Sequence, residues 1–163
     1  MNKQQKIYFD NVDVKNRLNS GENLILTHDI EEIDNPAYQS LYKAIVDLSP
    51  DSIYQNEFGL GQHLVNLRRL FPYAKIGGCT NSQLGIVYGH KHFKLKDCDL
   101  LLEVGDLSTT DGKYDVVISV HNFESNQTKN SEQVQKMLKK GRTVVLLEPS
   151  FDLSFYNGEY TEY

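Results

Sequence analysis

The chain lacks most of the features that tie a protein to a special environment. It holds two cysteines, Cys79 and Cys98, with no metal-ligand spacing around them. They read as reduced core thiols rather than a disulfide framework or a zinc site. No apolar run approaches the roughly 18 residues that a membrane-spanning helix needs. Met1 to Asp10 carries two lysines with no apolar stretch behind them, which argues against a signal peptide. The expectation is a cytoplasmic protein without a membrane partner. Positive charge is also scarce, with 17 Lys and Arg against 22 Asp and Glu and a net charge of −5. Phosphate contacts need clustered cations, so this balance disfavours nucleic acid as a partner. Only Lys136, Lys139, Lys140 and Arg142 cluster, and that pattern suits a solvated helix end, where cations complement the dipole. No repeat or low-complexity tract is present.

What remains is an ordinary globular composition, 39% hydrophobic and 24% charged over 163 residues. That length predicts one domain with a real core. Residues 1–34 read as an irregular N-terminal segment, 35–150 as the core and 151–163 as a tail. Asn35-Pro36 opens the first helix, with a capping residue followed by a proline suited to the first turn. Tyr38, Leu41, Tyr42, Ile45 and Leu48 recur at helical spacing, and Ser49-Pro50 ends the pattern. From there strands alternate with helices. Strands are expected at 52–55, 74–78, 99–104, 114–120 and 142–147. Helices are expected at 62–70, from a cap at Ser82 towards His90, and at 131–140, where Gly141 serves as a C-cap. Val116-Val117-Ile118 and Val144-Val145-Leu146-Leu147 are apolar throughout, as in strands buried on both faces. The expected fold is α/β: a Rossmann-like, doubly wound, mostly parallel sheet with helices on both faces, truncated after the fifth strand.

In such sheets ligands bind beyond the carboxyl ends of the strands. After the first strand come Gln55-Asn56-Glu57-Phe58-Gly59-Leu60-Gly61, a glycine-bearing turn into a helix N-terminus. Gly59 and Gly61 suit either close approach to a ligand or a plain tight turn. After the second strand, Thr80 and Asn81 offer polar groups or simply cap the next helix. Asp106 follows the third strand and can accept a hydrogen bond or cap a turn. After the fourth strand, His121 and Glu124 suit a base with its orienting partner, or a structural pair.

These segments, in this order, resemble class I S-adenosylmethionine-dependent methyltransferases. Ser52 to Gly61 with the helix ending at Phe71-Pro72 is similar to the family's cofactor loop. Ala74 to Ser82 resembles its second strand and ribose-binding end. Gly105-Asp106 resembles the pair near the adenine. Lys113 to His121 resembles the fourth-strand motif, and Met137 to Pro149 the helix, turn and fifth strand. The resemblance covers roughly residues 36 to 150. It implies S-adenosylmethionine as cofactor and a small-molecule or peptidic methyl acceptor. Gln55, Glu57, Gly59, Gly61, Thr80, Asn81, Asp106 and Ser119 then fall at cofactor-binding positions, and His121 is the candidate catalytic base.

The departures from the family pattern matter as much. Its loop carries an acid and then three alternating glycines, and here the acid position is Gln55 and the first glycine position is Glu57. The ribose carboxylate position falls on Thr80. Glu57 either meets the cofactor's positive end or fills the space of its methionine portion, and the second reading is preferred because a glycine is expected there. The short tail leaves room for one strand at most after the fifth, so the chain is a fragment or a shortened domain. Tyr156, Tyr160 and Tyr163 suit a sheet edge or an interface, compatible with a homo-oligomer or larger assembly. A non-catalytic, methyltransferase-like binding or assembly module is the alternative to an enzyme.

Overall fold

The computed structural model describes residues 36–107, 112–123, 126–148, 156 and 158–160. The expected Asn35 cap, Glu124 and most of the tail lie outside them. The elements run α1 (Pro36–Leu48), β1 (Ser52–Asn56), α2 (Gln62–Leu70), β2 (Lys75–Thr80), α3 (Gln83–Phe93), a 3-10 turn (Leu95–Asp97), β3 (Leu101–Val104), β4 (Tyr114–Val120), α4 (Gln127–Lys140) and β5 (Gly141–Leu147). The five strands form one sheet in the order β3-β2-β1-β4-β5. Every pairing is parallel. The fold class is therefore the one expected.

Strand order fixes where a ligand would go. The chain enters at the centre with β1, moves outward through β2 to β3, and returns to place β4 on the other side of β1. The connections leaving β1 and β4 diverge in opposite directions, which opens a crevice at their carboxyl ends.

The core lies mainly on one face. Leu41, Ile45, Leu64, Leu67 and Leu70 of α1 and α2 pack on Ile53, Ile76, Val116 and Ile118 of the sheet. On the opposite face, Val134 and Met137 of α4 meet Tyr54, Cys79 and Val117. Both thiols are free; Cys79 is buried and Cys98 half-buried. Below the sheet, the Arg68 guanidinium donates to the carbonyls of Phe71, Pro72, Ala74, Cys98 and Asp99. This gathers the connections into β2 and β3 around one cation.

Several details differ from the sequence expectation. The α4 helix starts four residues earlier than Ser131, because Asn126 caps it by accepting from the Lys129 N–H. Its helical signal is masked by the polar run before Val134. Gly141 is not a left-handed C-cap: its backbone is extended, at φ −127°, and it is already the first residue of β5. A Cβ there would lie 2.5 Å from Val117 Cγ2, so close strand packing explains the glycine. Lys140 is not solvated, being 5% exposed, with its ammonium 4.3 Å from the Tyr54 ring centre.

Candidate functional site

The loop after β1 turns through three left-handed residues, of which one is not a glycine: Glu57 has φ +49°, Gly59 φ +61° and Gly61 φ +85°. A non-glycine residue in this region carries strain, so something must hold Glu57 there. Its carboxylate reaches across to the end of β2. Oε1 accepts from the Asn81 backbone N–H at 2.9 Å and from Asn81 Nδ2 at 2.7 Å. Oε2 accepts a longer bond from the Thr80 hydroxyl at 3.4 Å. Thr80 Oγ1 in turn accepts from the Ser82 N–H, and Ser82 caps α3 by accepting from the Gly85 N–H. Glu57 thus places a carboxylate at the end of β2, where the sequence itself supplies none.

The two loop glycines serve different purposes. Around Gly59 an added Cβ would meet nothing within 4 Å. At Gly61 it would fall 2.7 Å from Leu95 Cδ1, so Gly61 is explained by packing under Leu95. Gly59 alone leaves open space at the loop. Gln55, near the end of β1, is 2% exposed, and among the described residues its Oε1 has no hydrogen-bond partner. A buried amide oxygen without a donor is costly, and it can accept from a bound ligand.

On the other side of the crevice, β4 is followed by His121, whose backbone is left-handed at φ +55° and whose N–H bonds to Leu147 O at 2.9 Å. Asn122 spans the crevice floor, Nδ2 donating to Asn56 O at 3.0 Å and to Ser119 Oγ at 3.1 Å. Ser119 itself is fully buried and acts through this contact. Glu148, just past β5, accepts from the N–H groups of Asn122 at 3.0 Å and Phe123 at 3.3 Å. Burial pushes the Glu148 carboxyl above its ordinary value, and those two N–H groups and His121 only partly oppose it. The carboxylate that holds the His121 turn is therefore Glu148.

The His121 ring lies beside Tyr38 of α1, with ring centres 6.1 Å apart. Tyr38 meets His63 edge-on at 5.0 Å. Beneath them Tyr42 joins its hydroxyl to His63 Nδ1 and accepts from Asn66 Nδ2 at 2.8 Å. His63 is pushed down to about 4, chiefly by burial and then by the charge of His121. Burial raises the Tyr42 phenol. At neutral pH both are uncharged, and the Tyr42 hydroxyl and His63 Nδ1 share one hydrogen bond.

The structure thus brings Gln55, Glu57, Gly59, Thr80 and Asn81 together at the ends of β1 and β2, with Ser119 and His121 at the adjacent end of β4. Asp106 follows Gly105, whose N–H donates to Thr80 O at 3.0 Å, and its own carboxylate forms an exposed ion pair with Lys136 of α4 at 3.9 Å. Sequence reasoning missed Tyr38, Tyr42, His63, Asn66, Asn122 and Glu148. The one available signal was His63 and Asn66 on the apolar stripe of α2, both buried.

No protein-family model matches the chain, and no curated protein does. Solved structures do. The methyltransferase domain of bacterial CtHen1-CN superposes with a TM-score of 0.57 at 16% identity, over 69% of this chain and 66% of that one. The plantazolicin methyltransferase BpumL, crystallised with a pentazolic desmethylPZN analog and SAH, gives 0.55 at 16% identity, over 90% and 62%. A putative O-methyltransferase from Klebsiella pneumoniae gives 0.53 at 11% identity, over 87% and 62%. The chain has the fold of class I S-adenosylmethionine-dependent methyltransferases. It spans less than two thirds of the length of these proteins, and 19% of the PKMT2 chain from Rickettsia typhi, which it also matches.

Proposed function

We propose that the chain binds S-adenosylmethionine over the ends of β1 and β2 and transfers its methyl group to a small or peptidic acceptor at the end of β4. The observation that carries this reading is the Glu57 carboxylate pinned at the end of β2 beside the open space at Gly59. Members of the resembling family carry a ribose-binding carboxylate at the end of β2. Glu57 provides that group from the neighbouring loop, and Oε2, bound only by a long contact to Thr80, keeps capacity for a hydroxyl. The orphaned Gln55 Oε1 is a second fitting feature, an acceptor for a donor at the cofactor's amino-acid end. The residues present therefore fit the group.

Bound S-adenosylmethionine supplies an electrophilic methyl group on a positively charged sulfur. The chain's own contribution is to align an acceptor with it, which holds the two reactants in one geometry. His121 would take the acceptor's proton on a ring nitrogen, with S-adenosylhomocysteine as the leaving product of the transfer. Tyr38 backs the imidazole, and Glu148 fixes the turn that carries it.

A non-catalytic module is the second reading, favoured by one observation: the donors on Glu57 all come from within the chain, so the loop is held without a ligand. Calorimetric titration with S-adenosylmethionine and S-adenosylhomocysteine separates the two. Saturable binding of both supports the enzyme. Absence of binding to either overturns it in favour of the module.

A further inference from the structure

The β3 side of the sheet carries an apolar surface that methyl transfer does not use. α3 joins the adjacent parallel strands β2 and β3, so it lies over the groove between them, at the sheet's edge. Its Gly85 and Gly89 turn towards the loop after β1, where a Cβ would collide with the carbonyls of Gly59 and Leu60. Ile86 and Phe93 pack against the core. Leu84, Val87 and Tyr88 recur at i, i+3 and i+4 on the face that remains. Leu84 is 67% exposed, and Val87 and Tyr88 about half. A surface helix normally turns polar side chains outward, so this stripe calls for a cover.

The neighbouring strand continues the surface. β3 is the edge of the sheet, and β2 is its one neighbour among the described residues. The Gly105 N–H donates to Thr80 O of β2 at 3.0 Å. Backbone groups alternate in direction along a strand, so Leu102 and Val104 turn their N–H and C=O groups outward. Val104 is 57% exposed and shares the α3 face with Leu102, which packs against that core. No proline or lysine blunts the strand. Its one charge, Glu103, lies on the other face, where it accepts from the Tyr54 hydroxyl at 3.3 Å.

We propose that this edge and the outer face of α3 bind a second copy of the chain about a two-fold axis. Pairing β3 antiparallel with its own copy sets the two strands about 4.8 Å apart. Each α3 sits half a strand spacing inside its β3, so the helices run about 9.6 Å apart, within the roughly 8–10 Å of packed helices. An axis at Leu102 lets that residue and its counterpart exchange a pair of backbone bonds. It also sets Glu103 opposite Leu101 instead of opposite itself, which avoids a like-charge pair. Leu84, Val87, Tyr88 and Val104 offer on the order of 400 Å² of apolar surface per copy. Interfaces are about 60% apolar, so two such patches correspond to roughly 1,300 Å² of buried surface, inside the range of specific contacts. One surface meets itself, so the assembly closes at two copies.

The test is sedimentation equilibrium of the full chain from micromolar to near-millimolar protein, with amide hydrogen exchange at both extremes. A reversible monomer–dimer equilibrium is expected, with exchange at Leu102 and Val104 slowing as the dimer fills. The comparison variant combines Leu84→Glu and Val87→Glu, exposed positions outside the candidate cofactor site. Its dissociation constant should rise at least about tenfold, while the melting temperature of the dilute protein stays close to that of the parent chain. A monomer throughout the range overturns the proposal. So does a dimer that the variant leaves equally tight, or one whose formation leaves exchange at Leu102 and Val104 unchanged. Protection of those amides that is independent of concentration also overturns it, in favour of a segment of the chain itself at this edge. If the variant fails to fold, the concentration dependence of exchange in the parent chain still decides. The cofactor takes no part in this contact, so failure here leaves the reading of the carboxyl-end site untouched.

Discussion

Glu57 holds Asn81 by two hydrogen bonds to one carboxylate oxygen, tying the loop after β1 to the cap of α3. The tie connects the two strand ends that frame the candidate cofactor site. It also holds Glu57 at φ +49°, a conformation that costs a non-glycine residue roughly 1–2 kcal/mol. Hydrogen bonds to a charged group contribute about 1.5–3 kcal/mol, enough to offset that strain. Glu57→Gly therefore exchanges strain relief for lost bonds, and the net change in folding stability should be within about 1–2 kcal/mol. Its effect on S-adenosylmethionine should be larger and opposite to that of a blocking residue. Affinity is expected to fall about tenfold or more, since a carboxylate–hydroxyl contact is lost. Tighter binding by the variant in calorimetry would restore the blocking role.

Gly59 and Gly61 sit two residues apart and should respond differently. Gly59→Asn introduces a side chain tolerant of the left-handed region into open space. The fold should survive, while S-adenosylmethionine affinity drops at least about tenfold. Gly61→Ala drives a Cβ against Leu95 at a left-handed position, and overpacking of this kind costs about 1–3 kcal/mol. Its signature should be a lowered melting temperature. Equal affinities for Gly59→Asn and the parent chain would remove the ligand from this loop.

The strand–helix alternation was legible because β4 and β5 carry short apolar runs bounded by turn residues, and because Ser82 caps α3 as its type suggests. The positions of Gly59, Thr80 and His121 followed from strand ends alone. What the sequence concealed was the reach of side chains between elements. Glu57 looked like a local substitution for glycine, yet it acts at another strand's end. Glu148 looked like the close of β5, yet it secures the turn after β4. His63 and Tyr42 are 21 residues apart and meet only because α1 and α2 pack on the same face. Periodicity reports which face of a helix is buried and says nothing about which buried polar groups will find one another.

The buried His63 makes a pH prediction with a definite sign. Its folded value, about 4, lies below the ordinary 6.5, so the neutral ring is favoured by folding. The stability it contributes is present above pH 6.5 and is lost as pH falls towards 4. Between pH 7 and pH 5 the loss should be roughly 2 kcal/mol. Glu148, raised by burial, acts in the opposite direction, so the comparison must isolate the histidine. Denaturant unfolding of the parent chain and of His63→Gln at both pH values does so. The variant should be less stable at pH 7 but lose less on acidification. Parallel losses in the two proteins would contradict the assigned shift.

The last prediction concerns Asn122, which joins β1 to β4 across the crevice. Its Nδ2 donates to Asn56 O and Ser119 Oγ, while its backbone N–H is held by Glu148. Asn122→Ala removes only the side-chain bonds. It leaves the fully buried Ser119 hydroxyl without this donor, and the change should cost about 1–3 kcal/mol. The loss should be local as well as global. Amide exchange should quicken at the ends of β1 and β4 more than in β2 and β3, because the crevice opens at the point where the chain reverses its direction across the sheet. If His121 is the base, its turn also loosens, and methyl transfer to any acceptor found should slow with little change in cofactor affinity. A uniform rise in exchange across all five strands would show that Asn122 supports the fold as a whole and has no special part in shaping the crevice.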